Sequence, residues 1–215
     1  MKNQFFISGL GADKTAFQNL SDFGTNKIMI EWLSNEPKES LYHYSERIIE
    51  KYGITSADIL VGLSFGGLVV QQIADILKPD YVILVSSFRT KDDLRIQFST
   101  GLKLKMHKLM PKIKSEVIGS MVANFLNSGS SQSRSALKAM LASTDMKLMK
   151  WSLEKIYEQH EPLASEITKY SLIGNKDRII KPWKIDTTYI VEGGSHIMVF
   201  DMAAEVSAII REIIN

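Results

Sequence analysis

The chain is 215 residues long, 45% hydrophobic and 23% charged, with a formal net charge of +2. These are the proportions of a globular domain able to bury one sizeable core; they exclude a disordered chain and give no electrostatic case for nucleic-acid binding. There are no cysteines, which removes disulfides, thiolate metal sites and cysteine nucleophiles together and fits a reducing, cytoplasmic setting, and no run approaches the ~18 apolar residues a membrane span needs.

The first apolar run, residues 4–8, is too short for the core of a signal peptide and reads as a strand leading into Gly9-Leu10-Gly11. A helix-like stretch over 15–23 follows, then an apolar run at 27–32, a helical pattern over 41–52, a third run at 59–63 and a helical pattern over 68–77. A fourth run occupies 81–86. The next strand-like runs come only at 170–174 and 187–191, and the chain closes with Val199, Met202, Ala203, Val206, Ile209, Ile210 and Ile213 at helical spacing. The runs are continuous rather than alternating, as in strands covered on both faces. Strands alternating with helices predict an α/β domain: a mostly parallel six-stranded sheet with helices on both faces.

Residues 88–168 break the alternation. They are too many for a loop and contain helical stretches but no strand, so they read as a helical cap inserted into a core formed by 1–87 and 169–215. The insertion holds six of the ten methionines and thirteen Lys/Arg against eight Asp/Glu, so it carries +5 and the rest −3. Flexible thioethers serve either as packing residues or as the wall of a pocket for varied apolar groups. Within "LKLKMHKLMPKIK", Lys103, Lys105, Lys108, Lys112 and Lys114 are either a solvated face or an attractor for an anionic substrate or a membrane surface.

The third run ends in Gly62-Leu63-Ser64-Phe65-Gly66-Gly67. A serine on a sharp strand-to-helix turn needs small neighbours, and its hydroxyl is a poor nucleophile without a base and a group to orient that base. On a parallel sheet such groups collect past the carboxyl ends of the strands. Asp177 follows the fifth run in "IGNKD" and His196 follows the sixth in "GGSH", which gives the order Ser64, Asp177, His196. The backbone N–H groups of Phe65, at a helix start, and of Leu10, in the glycine-rich loop, are the expected oxyanion donors.

With these motifs the sequence resembles the α/β-hydrolase superfamily over nearly its whole length. The matching parts are the nucleophile elbow "GLSFGG", the acid in "IGNKD", the base in "GGSH", the oxyanion loop "SGLGAD" and the cap after the fourth strand. Ser8-Gly9 stands where such enzymes often carry His-Gly, and the chain corresponds to a reduced form with six strands instead of eight. The resemblance implies a carboxylic ester or thioester hydrolase with no cofactor, acting on a small-molecule acyl substrate with an apolar acyl group.

Other readings remain at this level. The fold also serves as a small-molecule-binding module without catalysis. Gly9-x-Gly11 followed by Glu31 mimics a dinucleotide fingerprint, although Lys14 occupies the position where close packing wants a small residue. Asp201 is the rival acid. His43, His107 and His160 lie among charged residues in helix-like segments, and no histidine pair has the spacing of a metal site.

Overall fold

The computed structural model describes residues 2–24, 26–95, 135, 138–140 and 144–215. Its centre is a sheet of six strands, β1 (Asn3–Ile7), β2 (Asn26–Ile30), β3 (Ile59–Leu63), β4 (Tyr81–Val85), β5 (Thr168–Gly174) and β6 (Thr188–Val191), in the spatial order β2-β1-β3-β4-β5-β6. Every adjacent pair is parallel. From β1 the chain steps outward to β2, then crosses back to β3 and continues the other way. That reversal brings the loops after β1 and β3 side by side at the carboxyl edge, the place where such a sheet opens a crevice.

The continuous apolar runs have the expected cause. Phe5, Ile7, Leu60, Leu84 and Ile173 face one core, while Phe6, Val61, Ile83, Val85 and Leu172 face the other. The first core is covered by α1 (Leu41–Tyr52), α2 (Phe65–Leu77) and α3 (Met146–Glu158). The second is closed by the turn Lys14–Phe17 and by α4 (Met198–Asp201) and α5 (Ala203–Ile214). α1 begins where the Ser40 hydroxyl accepts from the His43 N–H, and it ends at Gly53 with φ 64, a left-handed cap that glycine tolerates.

Three elements differ from the sequence pattern. The helix expected over 15–23 is only a 3₁₀ turn, Lys14–Phe17, capped by Asp13; the Ser21-Asp22-Phe23-Gly24 stretch beyond it has turn chemistry. α2 starts at Phe65, three residues before the apolar periodicity begins, because Gly66 and Gly67 are helical without contributing to it. The last helix is split where Met202 leaves helical dihedrals at φ −130, ψ 40.

Of residues 88–168, the described part includes the short turn Lys91–Asp93 and α3. α3 lays Trp151 against Tyr44, with ring centroids 4.6 Å apart, and the Trp151 indole N–H donates to the Glu39 carbonyl at 2.8 Å. The lysine-rich run 102–114, Met121 and His107 lie outside the described residues.

Candidate active site

β3 delivers Ser64 into a backbone conformation that side chains avoid, φ 52 and ψ −118. Strain of this kind costs on the order of 1–3 kcal/mol and persists only where the surroundings fix it. Here the Ser64 N–H donates to Val85 O at 2.9 Å, while its carbonyl accepts from Gly67 N at 3.0 Å and Ser87 Oγ at 2.8 Å. Although Ser64 stands at the N-cap of α2, its side chain makes no capping bond. The hydroxyl faces His196 instead.

Close packing explains the glycine at 66. A Cβ there would lie 2.2 Å from Ser8 O and 2.3 Å from Ile7 O, both backbone atoms of the neighbouring strand end. A Cβ on Gly9 would lie 3.2 Å from the Ser64 Cβ, so the loop after β1 runs directly along the serine. That loop is held by the two hydrogen bonds that reach the Ala12 carbonyl: Ser8 Oγ at 2.8 Å and Trp32 Nε1 at 3.0 Å. Ser8 thus does the loop-bracing expected of a longer side chain at its position. Leu10 is the residue after the Gly9–Ser64 contact. Phe65 is the first residue of α2, where a backbone N–H has no intrahelical acceptor.

His196 and Asp177 come from interlocked loops. A Cβ on Gly174 would meet Gly194 O at 2.1 Å, Lys176 N donates to Gly194 O at 2.9 Å, and Gly193 N donates to Asn175 Oδ1 at 2.8 Å. In this frame His196 Nε2 lies 3.0 Å from Ser64 Oγ and His196 Nδ1 lies 2.9 Å from Asp177 Oδ2. Asp177 is 1% exposed and His196 6%. The other Asp177 oxygen, Oδ1, accepts from Ile179 N at 2.7 Å and Ile180 N at 2.9 Å. Burial by itself would push the Asp177 carboxyl up; the charge and hydrogen bond of His196 and the two amides outweigh it and hold the carboxyl below its ordinary value.

Ser64, Asp177 and His196 therefore meet at one end of the sheet, with Phe65 next to Ser64 in the chain and Leu10 in the loop whose Gly9 lies against it. Asp201, the rival acid, is exposed at the end of α4, and the carboxylate on His196 is that of Asp177. His160 Nδ1 lies 2.8 Å from Lys91 Nζ, and His43 Nδ1 lies 3.0 Å from Glu39. Glu36, Glu39 and His43 present three ligand-type atoms within 4.8 Å of one another. Arg47 already occupies that cluster, at 2.8 Å from Glu39 and 3.7 Å from Glu36, so a dication would have to displace a guanidinium. Lys14, the obstacle to a dinucleotide fingerprint, is paired with Glu31 at 3.0 Å, which occupies the carboxylate that reading would use.

Two contributors had weak sequence signals. Arg95 Nε donates to the Asp177 carbonyl at 2.7 Å, and Arg95 N to Ile179 O at 2.7 Å, so Arg95 braces the acid loop. Trp32 packs on Phe65 with ring centroids 5.7 Å apart while anchoring Ala12. Beside Leu10 the structure leaves a cavity of about 200 Å³ between the loop after β1, the end of β2 and α3. Among the described residues, no helix is long and apolar enough to cross a membrane.

No protein-family model matches the chain, and no curated protein matches it in sequence. Solved structures do match. A hydrolase from Oleispira antarctica superposes with a TM-score of 0.78 at 14% identity, covering 100% of this chain and 91% of that one. The enol-lactonase from Burkholderia xenovorans LB400 gives 0.77 at 12% identity, covering 99% and 91%. A thermophilic esterase from Thermogutta terrifontis gives 0.74 at 15% identity, covering 100% and 89%. At these identities the shared property is the fold.

Proposed function

We propose that this chain, which has the α/β-hydrolase fold, is a serine hydrolase that cleaves a carboxylic ester or thioester through an acyl-enzyme intermediate. The observation that carries the reading is the unbroken chain Ser64 Oγ–His196 Nε2 at 3.0 Å and His196 Nδ1–Asp177 Oδ2 at 2.9 Å, built on a strained serine. A serine kept only for a turn would need neither the base nor the strain. The neighbours named as esterase and enol-lactonase support ester chemistry, cyclic esters included.

In this reading His196 Nε2 accepts the Ser64 proton as Oγ attacks the carbonyl carbon. The negative charge that develops on the carbonyl oxygen is held by the N–H groups of Leu10 and Phe65. His196 then protonates the leaving alcohol or thiol, and in the second half it takes a proton from water, which releases the acid and restores Ser64. Asp177 holds Nδ1 protonated, so that Nε2 presents its lone pair to Ser64, and stabilises the imidazolium. No step calls for a metal or cofactor. The substrate is a small acyl compound with an apolar acyl group, and the absence of cysteine suits work in the cytoplasm.

A fluorophosphonate probe tests the nucleophile. The expected result is one label per folded chain, mapped to Ser64 and abolished in Ser64→Ala. Labelling at another serine, or a folded protein that takes no label, overturns the assignment.

A further inference from the structure

The cavity beside Leu10 has a composition that the proposed reaction does not by itself require. Leu10, Trp32, Met140 and Leu148 supply apolar wall. Two carboxylates, Asp13 from the core and Asp145 from the start of α3, line it as well, and no Lys, Arg or His is among the described residues that do. Both aspartates are exposed, and each caps the start of a helical element through Oδ1: Asp13 accepts from Thr15 N at 2.8 Å, Asp145 from Lys147 N at 2.8 Å. The cation next to Asp13 in sequence, Lys14, is engaged with Glu31.

The lining includes a third polar residue. Ser152 lines the same cavity from α3, is 1% exposed, and its hydroxyl has no hydrogen-bond partner among the described residues. Four other hydroxyls among the described residues, those of Ser45, Ser86, Ser171 and Thr188, are also buried without a partner.

We propose that this cavity receives one arm of the substrate and selects an arm with a cationic end over one with an anionic end, Asp13 and Asp145 being the discriminating groups. The inference rests on the serine hydrolase reading for where the scissile bond lies. The volume, about 200 Å³, holds roughly six or seven carbon-sized groups at ~30 Å³ each. Two carboxylates and an indole favour an ammonium, and the apolar wall accepts the methylenes that carry it. A carboxylate arm meets like charge in a partly desolvated space. The sign is opposite to the attraction of an anionic substrate that the lysine-rich run 102–114 would give.

The test uses three 4-nitrophenyl esters of one length, from hexanoic acid, 6-aminohexanoic acid and adipic acid (monoester). At low ionic strength the ammonium ester is expected to exceed the carboxylate ester in kcat/KM by tenfold or more, and the ratio should shrink as salt rises. In the double variant Asp13→Asn, Asp145→Asn the amide oxygens keep both caps while the charges are gone, and the ratio should fall to within about threefold. A carboxylate ester cleaved as well as the ammonium ester, or a ratio that survives the double variant, overturns the proposal. Calorimetric binding of hexylammonium and hexanoate to the wild-type protein separates this failure from failure of the hydrolase reading, since it needs no turnover. Preferential hexylammonium binding that the double variant loses supports the subsite even if no ester is cleaved. Equal binding, or none, sinks it.

Discussion

Replacing Asp177 in two ways separates its structural task from its chemical one. Oδ1 accepts from the Ile179 and Ile180 amides and Oδ2 faces His196 Nδ1, all with the side chain buried. In Asp177→Asn the amide oxygen can keep both backbone donors, so the loop stays closed and stability should fall by only about 1 kcal/mol, the difference between charged and neutral acceptors. The amide NH₂ then faces Nδ1. Imidazole must place its lone pair there and its proton on Nε2, toward Ser64, and kcat should drop about 10³–10⁴-fold. In Asp177→Ala the two amides are orphaned as well; at ~1–3 kcal/mol each the loss should reach about 2–6 kcal/mol. Urea unfolding gives the first quantity and turnover of 4-nitrophenyl hexanoate the second. A pH series adds a check. The Asp177 carboxyl is held below its ordinary value in the folded state, so its stabilisation is present above the unfolded value near ~4 and is lost as pH falls through the folded one. Asparagine does not titrate, so the stability gap between wild type and Asp177→Asn should narrow as pH drops below about 4. An Asp177→Asn enzyme within tenfold of wild type, or an Asp177→Ala protein as stable as wild type, would refute the reasoning. Asp201→Asn should change kcat less than tenfold.

Three further outcomes follow from contacts at the site. Gly66→Ala would place a Cβ 2.2 Å from Ser8 O; because the obstacle is backbone, β1 must shift, and the variant should lose about 1–3 kcal/mol in urea unfolding together with 10²-fold or more in kcat through displacement of the Leu10 N–H. Arg95→Met removes the donor on the Asp177 carbonyl, and kcat should fall about tenfold with KM little changed and Arg95→Lys recovering part of it; an equal rise in KM would mean that Arg95 acts on the substrate instead. Across 4-nitrophenyl esters from acetyl to octanoyl, kcat/KM should rise by at most a factor of about four per carbon and level off near six carbons, where a cavity of about 200 Å³ is filled; a preference for acetyl would refute a pocket for the acyl group.

The parallel sheet was legible because burial on both faces leaves an unmistakable mark, as in "ILVGL" and "YVILV". Ser64, Asp177 and His196 could be picked out because each follows its own strand and the topology brings all strand ends to one edge. The helix expected over 15–23 was misread because Phe17 and Leu20 are buried under α4 and α5 without belonging to one helix; their three-residue spacing mimics one. Arg95 and Trp32 were not legible. Their roles depend on a backbone carbonyl each, on Asp177 and on Ala12, and carbonyl positions leave no trace in residue identity. The aspartates of the cavity carry no mark of their own in the sequence, since a helix cap and a rim charge select the same side chain.

The elbow shows why these features belong together. A φ of 52 with ψ −118 at Ser64 is held against relaxation by three backbone-directed hydrogen bonds, from Ser64 N to Val85 O and to Ser64 O from Gly67 and Ser87. None of the three uses the Ser64 hydroxyl, so the whole frame can be kept while that group stays available to His196. Ser87, supplied by the loop after β4, lies so close that a Cβ on Gly67 would meet its Oγ at 2.2 Å. The third glycine of the elbow is thus set by the residue that locks the strain, just as the second is set by the loop that carries Leu10. A turn that only reversed the chain would need one permissive residue; this one needs small residues at 62, 66 and 67, because a Cβ at 62 would meet the backbone of Gly66 and Gly67, one at 66 the end of β1, and one at 67 the side chain of Ser87. Strain that is braced from three directions and leaves one hydroxyl unclaimed by the fold is what a preorganised nucleophile requires.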